Sequence, residues 1–135
     1  MEIAKAAIAH VWDRIKQLEG ETFLTPAEKA KFKLVSVHED GTKIRAQDGE
    51  GAAVNFTKAS FERGVAYLIE HGHIGSAKSC PIGSNLEYDK AGPLCQATRG
   101  DPTAQMNVTY ILPILKRIGF VEIGQSVPSS TWLTA

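Results

Sequence analysis

"KFKLVSVHEDGTKIRAQ", Lys31 to Gln47, decides how this chain folds. Two runs rich in β-formers flank a polar stretch containing Asp40-Gly41, a two-residue hairpin signal. Residues 31–37 and 42–47 therefore read as paired antiparallel strands. Alternation puts Lys31 and Lys33 on one face of the first strand and Lys43 and Arg45 on one face of the second. Register decides whether the two pairs coincide. If they do, four cations form a patch suited to nucleic-acid phosphates. The plainer reading is a solvated sheet face whose lysines guard an edge against stray pairing. Beyond the hairpin, DGEG (Asp48 to Gly51) marks a turn, and AAVNF (Ala52 to Phe56) reads as a third short strand.

Upstream, Ile8, Val11, Trp12, Ile15 and Leu18 repeat at helical spacing, and Gly20 supplies a stop. TPAE, Thr25 to Glu28, has the form of a capping box with Pro26 at the first helical position, which predicts one or two helical turns. Downstream, FTKASFERGVAYLIEHG predicts a second helix with Thr57 or Asn55 as cap and Phe61, Val65, Leu68 and Ile69 as its apolar stripe. Gly64 in its middle marks close packing on another element, and Gly72 ends it.

From His73 to Gly100 the periodicity fails. A structureless run of about 28 residues is too long for a compact domain, so LEYDKA is expected to hold a short helix within a long loop. Asp101-Pro102 predicts the start of a third helix carrying Met106, Tyr110, Ile111, Ile114, Leu115 and Ile118, kinked or split by Pro113. Gly119 ends it, and FVEI opens a closing hairpin. The expectation is one α+β domain over residues 1–135, with three main helices, a small antiparallel sheet and a C-terminal hairpin.

Composition bounds the function. At 135 residues with 43% hydrophobic and 22% charged, the chain has the make-up of one globular domain. No apolar run approaches the ~18 residues of a membrane span, so no membrane partner is expected. Glu2, Lys5, Asp13, Arg14 and Lys16 interrupt the first segment, which is therefore not read as a signal peptide, and the expected location is cytoplasmic. Lys+Arg and Asp+Glu both number 15, giving zero net charge. That argues against wrapping nucleic acid by bulk charge, while leaving room for a local basic face. Weak mutual repulsion also suits a homodimer or a protein partner.

Cys80 and Cys95 are expected as free thiols. With His71 and His73 they lack the paired ligand spacing of structural zinc sites, so neither metal nor cofactor is expected. Glycine-rich nucleotide loops and Gly-x-Ser-x-Gly are absent from the sequence. Glu39, Asp40, Asp48 and Glu50 sit at hairpin turns, where Asp and Gly are ordinary. A non-enzyme is expected. Catalysis would need His71, His73 and a cysteine to converge in one pocket.

Residues 107–135 form an apolar helix ending Arg-Ile-Gly, then Phe-Val-Glu, a turn with Pro, and a strand ending Trp-Leu-Thr. This resembles the C-terminal half of a winged-helix DNA-binding domain. The resemblance implies a recognition helix in the major groove and a wing on backbone or minor groove. Carried over, it makes Lys116, Arg117, Gln125, Ser126, Ser129 and Ser130 DNA-contacting candidates, beside Lys31, Lys33, Lys43 and Arg45 of the sheet. The segments GETFLT, FKLVSV, SFERGVAYL and YILPIL are similar to small α+β modules that accompany nucleases in bacterial restriction and defence proteins. That implies accessory DNA recognition. The leading expectation is thus a non-catalytic DNA-binding module of bacterial or phage type, in transcription control, a mobile element or defence. The rival is a protein-binding adaptor or inhibitor acting through the 73–100 loop, with Tyr88, Leu94 and Trp132 as anchors.

Overall fold

A computed structural model describes residues 1–46, 52–125 and 128–134. The elements run α1 (Glu2–Lys16), β1 (Thr22–Leu24), β2 (Lys31–Val37), β3 (Gly41–Ala46), β4 (Ala53–Thr57), α2 (Lys58–Glu70), β5 (Cys80–Pro81), α3 (Pro93–Arg99), α4 (Val108–Arg117), β6 (Val121–Gly124) and β7 (Ser130–Leu133). The class is α+β, as expected; the described residues hold four α-helices rather than three main ones, and two antiparallel sheets, the second built on the expected closing hairpin.

The first sheet is a meander in the order β1-β2-β3-β4, its strands adjacent in sequence. Its inner face carries Phe23, Phe32, Leu34, Val37, Ile44 and Phe56, all buried. These pack against the apolar sides of the helices. From α1 come Ala4, Ile8, Val11, Trp12 and Ile15, and from α2 Phe61, Val65 and Leu68. Trp12 meets Phe61 edge-on at 5.3 Å and donates its indole N–H to the His38 carbonyl at 2.7 Å. Apolar α4 residues complete the core: Val108, Ile111, Leu112, Ile114 and Leu115 are buried.

The second sheet has the order β5-β7-β6. The expected closing hairpin is present as β6 and β7, and Cys80-Pro81 adds a third strand beside β7. Helix α4 runs unbroken through Pro113. The proline removes one backbone bond, yet burial of its neighbours holds the helix together.

Three local expectations are corrected. Thr25–Glu28 is a turn joining β1 to β2, not a helix. The Thr25 N–H and hydroxyl both go to the Ala30 carbonyl, at 2.9 and 3.3 Å, and Glu28 takes a left-handed φ of 59°. Asp101-Pro102 likewise makes a single turn. The Asp101 carboxylate accepts from the Thr103 hydroxyl and from the Thr103 and Ala104 N–H groups, which holds its carboxyl below the usual range. Helix α4 begins only after Asn107. Thirdly, Gly41 is the first residue of β3 rather than a turn residue. A Cβ there would lie 2.6 Å from the Phe56 carbonyl oxygen of β4, so the close approach of that strand requires glycine.

Gly64 fulfils its expectation. A Cβ at this position of α2 would lie 2.9 Å from Thr98 Cγ2 of α3. Thr98 is buried and its hydroxyl donates to the Cys95 carbonyl at 2.9 Å, so it has little freedom to give way. Gly64→Val should cost about 2–3 kcal/mol by overpacking, measured as a lower urea midpoint with an unchanged m-value.

Candidate nucleic-acid interface

The register between β2 and β3 answers the question left by the sequence. Lys33 stands directly opposite Arg45, and Ser36 opposite Lys43, with a bulge between Leu34 and Ser36 that restores the alternation. Phe32 and Leu34 point inward, as do Thr42 and Ile44, so Lys31, Lys33, Lys43 and Arg45 all lie on the outer face. Neighbouring outer positions are Thr22 and Leu24 of β1 and Ala53, Asn55 and Thr57 of β4. Among the described residues, no strand position on this face is acidic.

The outer face continues over β1 into a groove of about 490 Å³. Thr22 and Leu24 belong to both. The far wall is formed by Pro113, Lys116 and Arg117 of α4 with Ile123 and Gln125 of the hairpin. Three winged-helix candidates, Lys116, Arg117 and Gln125, are therefore brought together here, opposite the edge of the basic sheet. Ser126 lies outside the described residues. Arg117 is engaged structurally: it forms an ion pair with Glu21 and sits 4.3 Å from the centroid of the Phe23 ring. Lys116 and Gln125 are exposed. The body of α4 is interior: from Ile111 to Leu115 every residue is buried, and Tyr110 packs on Phe32 and Phe56. Of α4, Pro113, Lys116 and Arg117 reach the groove.

No protein-family model matches the chain, and searches of the curated proteins and of the solved structures return no significant match. The reading of this site accordingly rests on its own chemistry.

Arg63, Arg99 and Lys58 are engaged within the fold. Arg63 donates to the Ala97, Thr98 and Arg99 carbonyls at the C-terminus of α3, at 3.0–3.3 Å. Buried Arg99 donates to the carbonyls of Ala104, Asn85 and Leu86. The ammonium of Lys58 lies over Trp12 at 5.3 Å. Lys78 sits in a short 3-10 turn before β5, away from the first sheet.

Of the rival anchors, Leu94 is fully buried, whereas Tyr88 and Trp132 are half-buried. The stretch from 73 to 100 is built rather than loose. Gly83 and Gly92 pinch its middle, with the Gly92 N–H donating to the Gly83 carbonyl at 2.8 Å and a Cβ on Gly83 falling 2.8 Å from the Gly92 Cα. Leu86, which composition did not single out, projects from this loop at 76% exposure.

His71, His73 and Tyr67 stack loosely, with centroids 4.3–6.4 Å apart. The His73 Nδ1 donates to the Lys78 carbonyl at 2.8 Å. Both cysteines are buried free thiols, and burial raises the pKa of Cys80, which keeps that thiol protonated. Among the described residues no three His, Cys, Asp or Glu side chains gather as a metal site. Nor is any helix there long and apolar enough to cross a membrane.

Proposed function

We propose that the chain is a non-catalytic DNA-binding module that holds duplex phosphates on the outer face of its first sheet. The register that brings Lys31, Lys33, Lys43 and Arg45 onto one strand face carries this reading. It reconciles zero net charge with phosphate binding, because the basic groups are sorted rather than numerous. Lys116 and Gln125, across the groove, place the hairpin beside a duplex lying on the sheet. In this mode the hairpin and the sheet contact backbone, and α4 supports them from within. Aromatic side chains favour a duplex over a single strand. Phe23, Phe32 and Phe56 all face the core, so the sheet offers bases no stacking platform. A place in transcription control, a mobile element or a defence system fits such a module.

The test is binding to a labelled random-sequence duplex at two salt concentrations. Four phosphate contacts give a log–log slope near −3.6, so affinity should fall roughly 150-fold between about 50 and 200 mM salt. Lys33→Glu with Arg45→Glu should weaken binding at the lower salt by at least about tenfold and flatten the slope by about two. An absence of duplex binding at the lower salt would overturn the reading. So would tighter binding to a single strand of the same length.

A second reading, a protein-binding adaptor, draws on exposed Leu86 at the pinned 83–92 loop. It predicts that Leu86→Asp abolishes capture of a protein partner, and that duplex affinity is absent from the start.

A further inference from the structure

We propose that the protein forms a two-fold dimer by antiparallel pairing of β4 with β4 of a second copy, joining two basic sheets into one of eight strands. Edge strands invite pairing, and folded proteins guard them with charge, proline, shortness or cover. Three edges here are guarded. Strand β1 has three residues, and the Arg117 guanidinium lies against its Phe23 ring and Thr22 carbonyl. Strand β5 has two residues and ends in Pro81. Strand β6 carries exposed Glu122. Strand β4, Ala-Val-Asn-Phe-Thr, has five residues with neither charge nor proline.

Its open groups follow from the register. The Lys58 N–H donates to the Asp40 carbonyl at 2.7 Å, and Thr42 pairs with Phe56 and Ile44 with Val54. Bonded pairs recur every second residue, so the peptide groups of Val54 and Phe56 face β3, and those of Ala53 and Asn55 face outward. A two-fold axis through Asn55 sets Asn55 opposite itself and Ala53 opposite Thr57 of the second copy. On the inner face it sets half-buried Val54 against the second copy's Phe56, an apolar cross-strand pair.

Charge favours a second copy as the occupant. Strand β4 is itself neutral, and the cations of the basic face nearest the seam lie on β3 of each copy. Three strand spacings, about 14 Å, separate them, beyond the ~10 Å Debye length at 0.1 M salt. With zero net charge on each chain, association meets little general repulsion. A two-fold axis normal to the sheet keeps both basic faces on the same side.

Sedimentation velocity without nucleic acid, over a micromolar concentration series, tests this. The wild-type chain should sediment at twice the monomer mass. Asn55→Lys sets two ammonium groups against each other at the axis and should halve that mass with an unchanged circular dichroism spectrum. Asn55→Pro removes an outward N–H without touching a bond to β3 and should do the same. If the proline variant misfolds, the lysine variant decides. Wild-type monomer throughout the series would overturn the proposal, as would a dimer persisting in Asn55→Lys. Neither result depends on whether the chain binds DNA.

Discussion

Phe32→Ala is expected to destabilise the protein by about 3–5 kcal/mol, the largest effect of any single truncation in this fold. Phe32, the second residue of β2, is completely buried. Its ring stacks on Phe23 of β1 with centroids 5.3 Å apart and meets Tyr110 of α4 edge-on at 5.1 Å. Tyr110 in turn stacks on Phe56 of β4 at 5.4 Å. One ring therefore links an edge strand, a central strand and the helix behind the sheet. Truncation removes the transfer free energy of the ring, leaves a cavity and unsupports Phe23, Tyr110 and Phe56 together. Against a total stability of about 5–15 kcal/mol, such a loss brings a large unfolded fraction. Urea denaturation should show a sharply lower midpoint. A loss below about 1 kcal/mol would mean that the aromatic cluster is not where the sheet and helix are joined.

The second large effect belongs to Arg99. Its guanidinium, on a residue 5% exposed, donates to the Ala104 carbonyl at 2.9 Å and to those of Asn85 and Leu86 at 3.1 and 3.2 Å, and it lies 5.3 Å from the centroid of Tyr88. Among the described residues no carboxylate pairs with it. The side chain thus ties the loop before α3 to the turn after it through main-chain acceptors alone. Arg99→Met keeps most of the stem and removes all donors, leaving three carbonyls short of a partner. The expected cost is about 3–4 kcal/mol, since hydrogen bonds from charged donors contribute about 1.5–3 kcal/mol each and do not add fully. Protease cleavage between Gly83 and Gly92 should appear under conditions where the parent chain is intact. Equal stability and equal resistance would show that the glycine pinch alone holds this loop.

What the sequence made legible was whatever had a strong period. Helices α1 and α2 follow from apolar spacing, β2 from alternation, and β6 and β7 from two short apolar runs around a polar turn. The class followed from these. Two of the misreadings share one cause: capping chemistry does not distinguish a helix start from a turn. Thr25-Pro26 and Asp101-Pro102 both have the side-chain acceptor and the proline of a helix start, yet each closes after one turn. Conversely, Pro93 at the first helical position and Gly100 just past the last do delimit α3. That helix was hidden because Leu94 and Cys95 are adjacent and give no visible spacing over seven residues. For the site, alternation gave each pair of cations its face, but only the register set Lys33 against Arg45. The bulge after Leu34, invisible in composition, decides that register.

The two sheets differ in how far apart in the chain their strands lie. Each strand of the first pairs with the next one along, so its loops are short to close. The second needs Cys80 to meet Thr131, about fifty residues away, and Arg14 reaches the Ile118 carbonyl 104 positions on. Low contact order favours rapid assembly of the meander, whereas the three-stranded sheet waits for distant partners. On a ribosome, β1 to β4 emerge with all their pairing partners while α4 and β7 are still unmade. The basic face is thus the part of this protein whose strands are complete earliest in synthesis, and the core behind it closes when the final hairpin arrives.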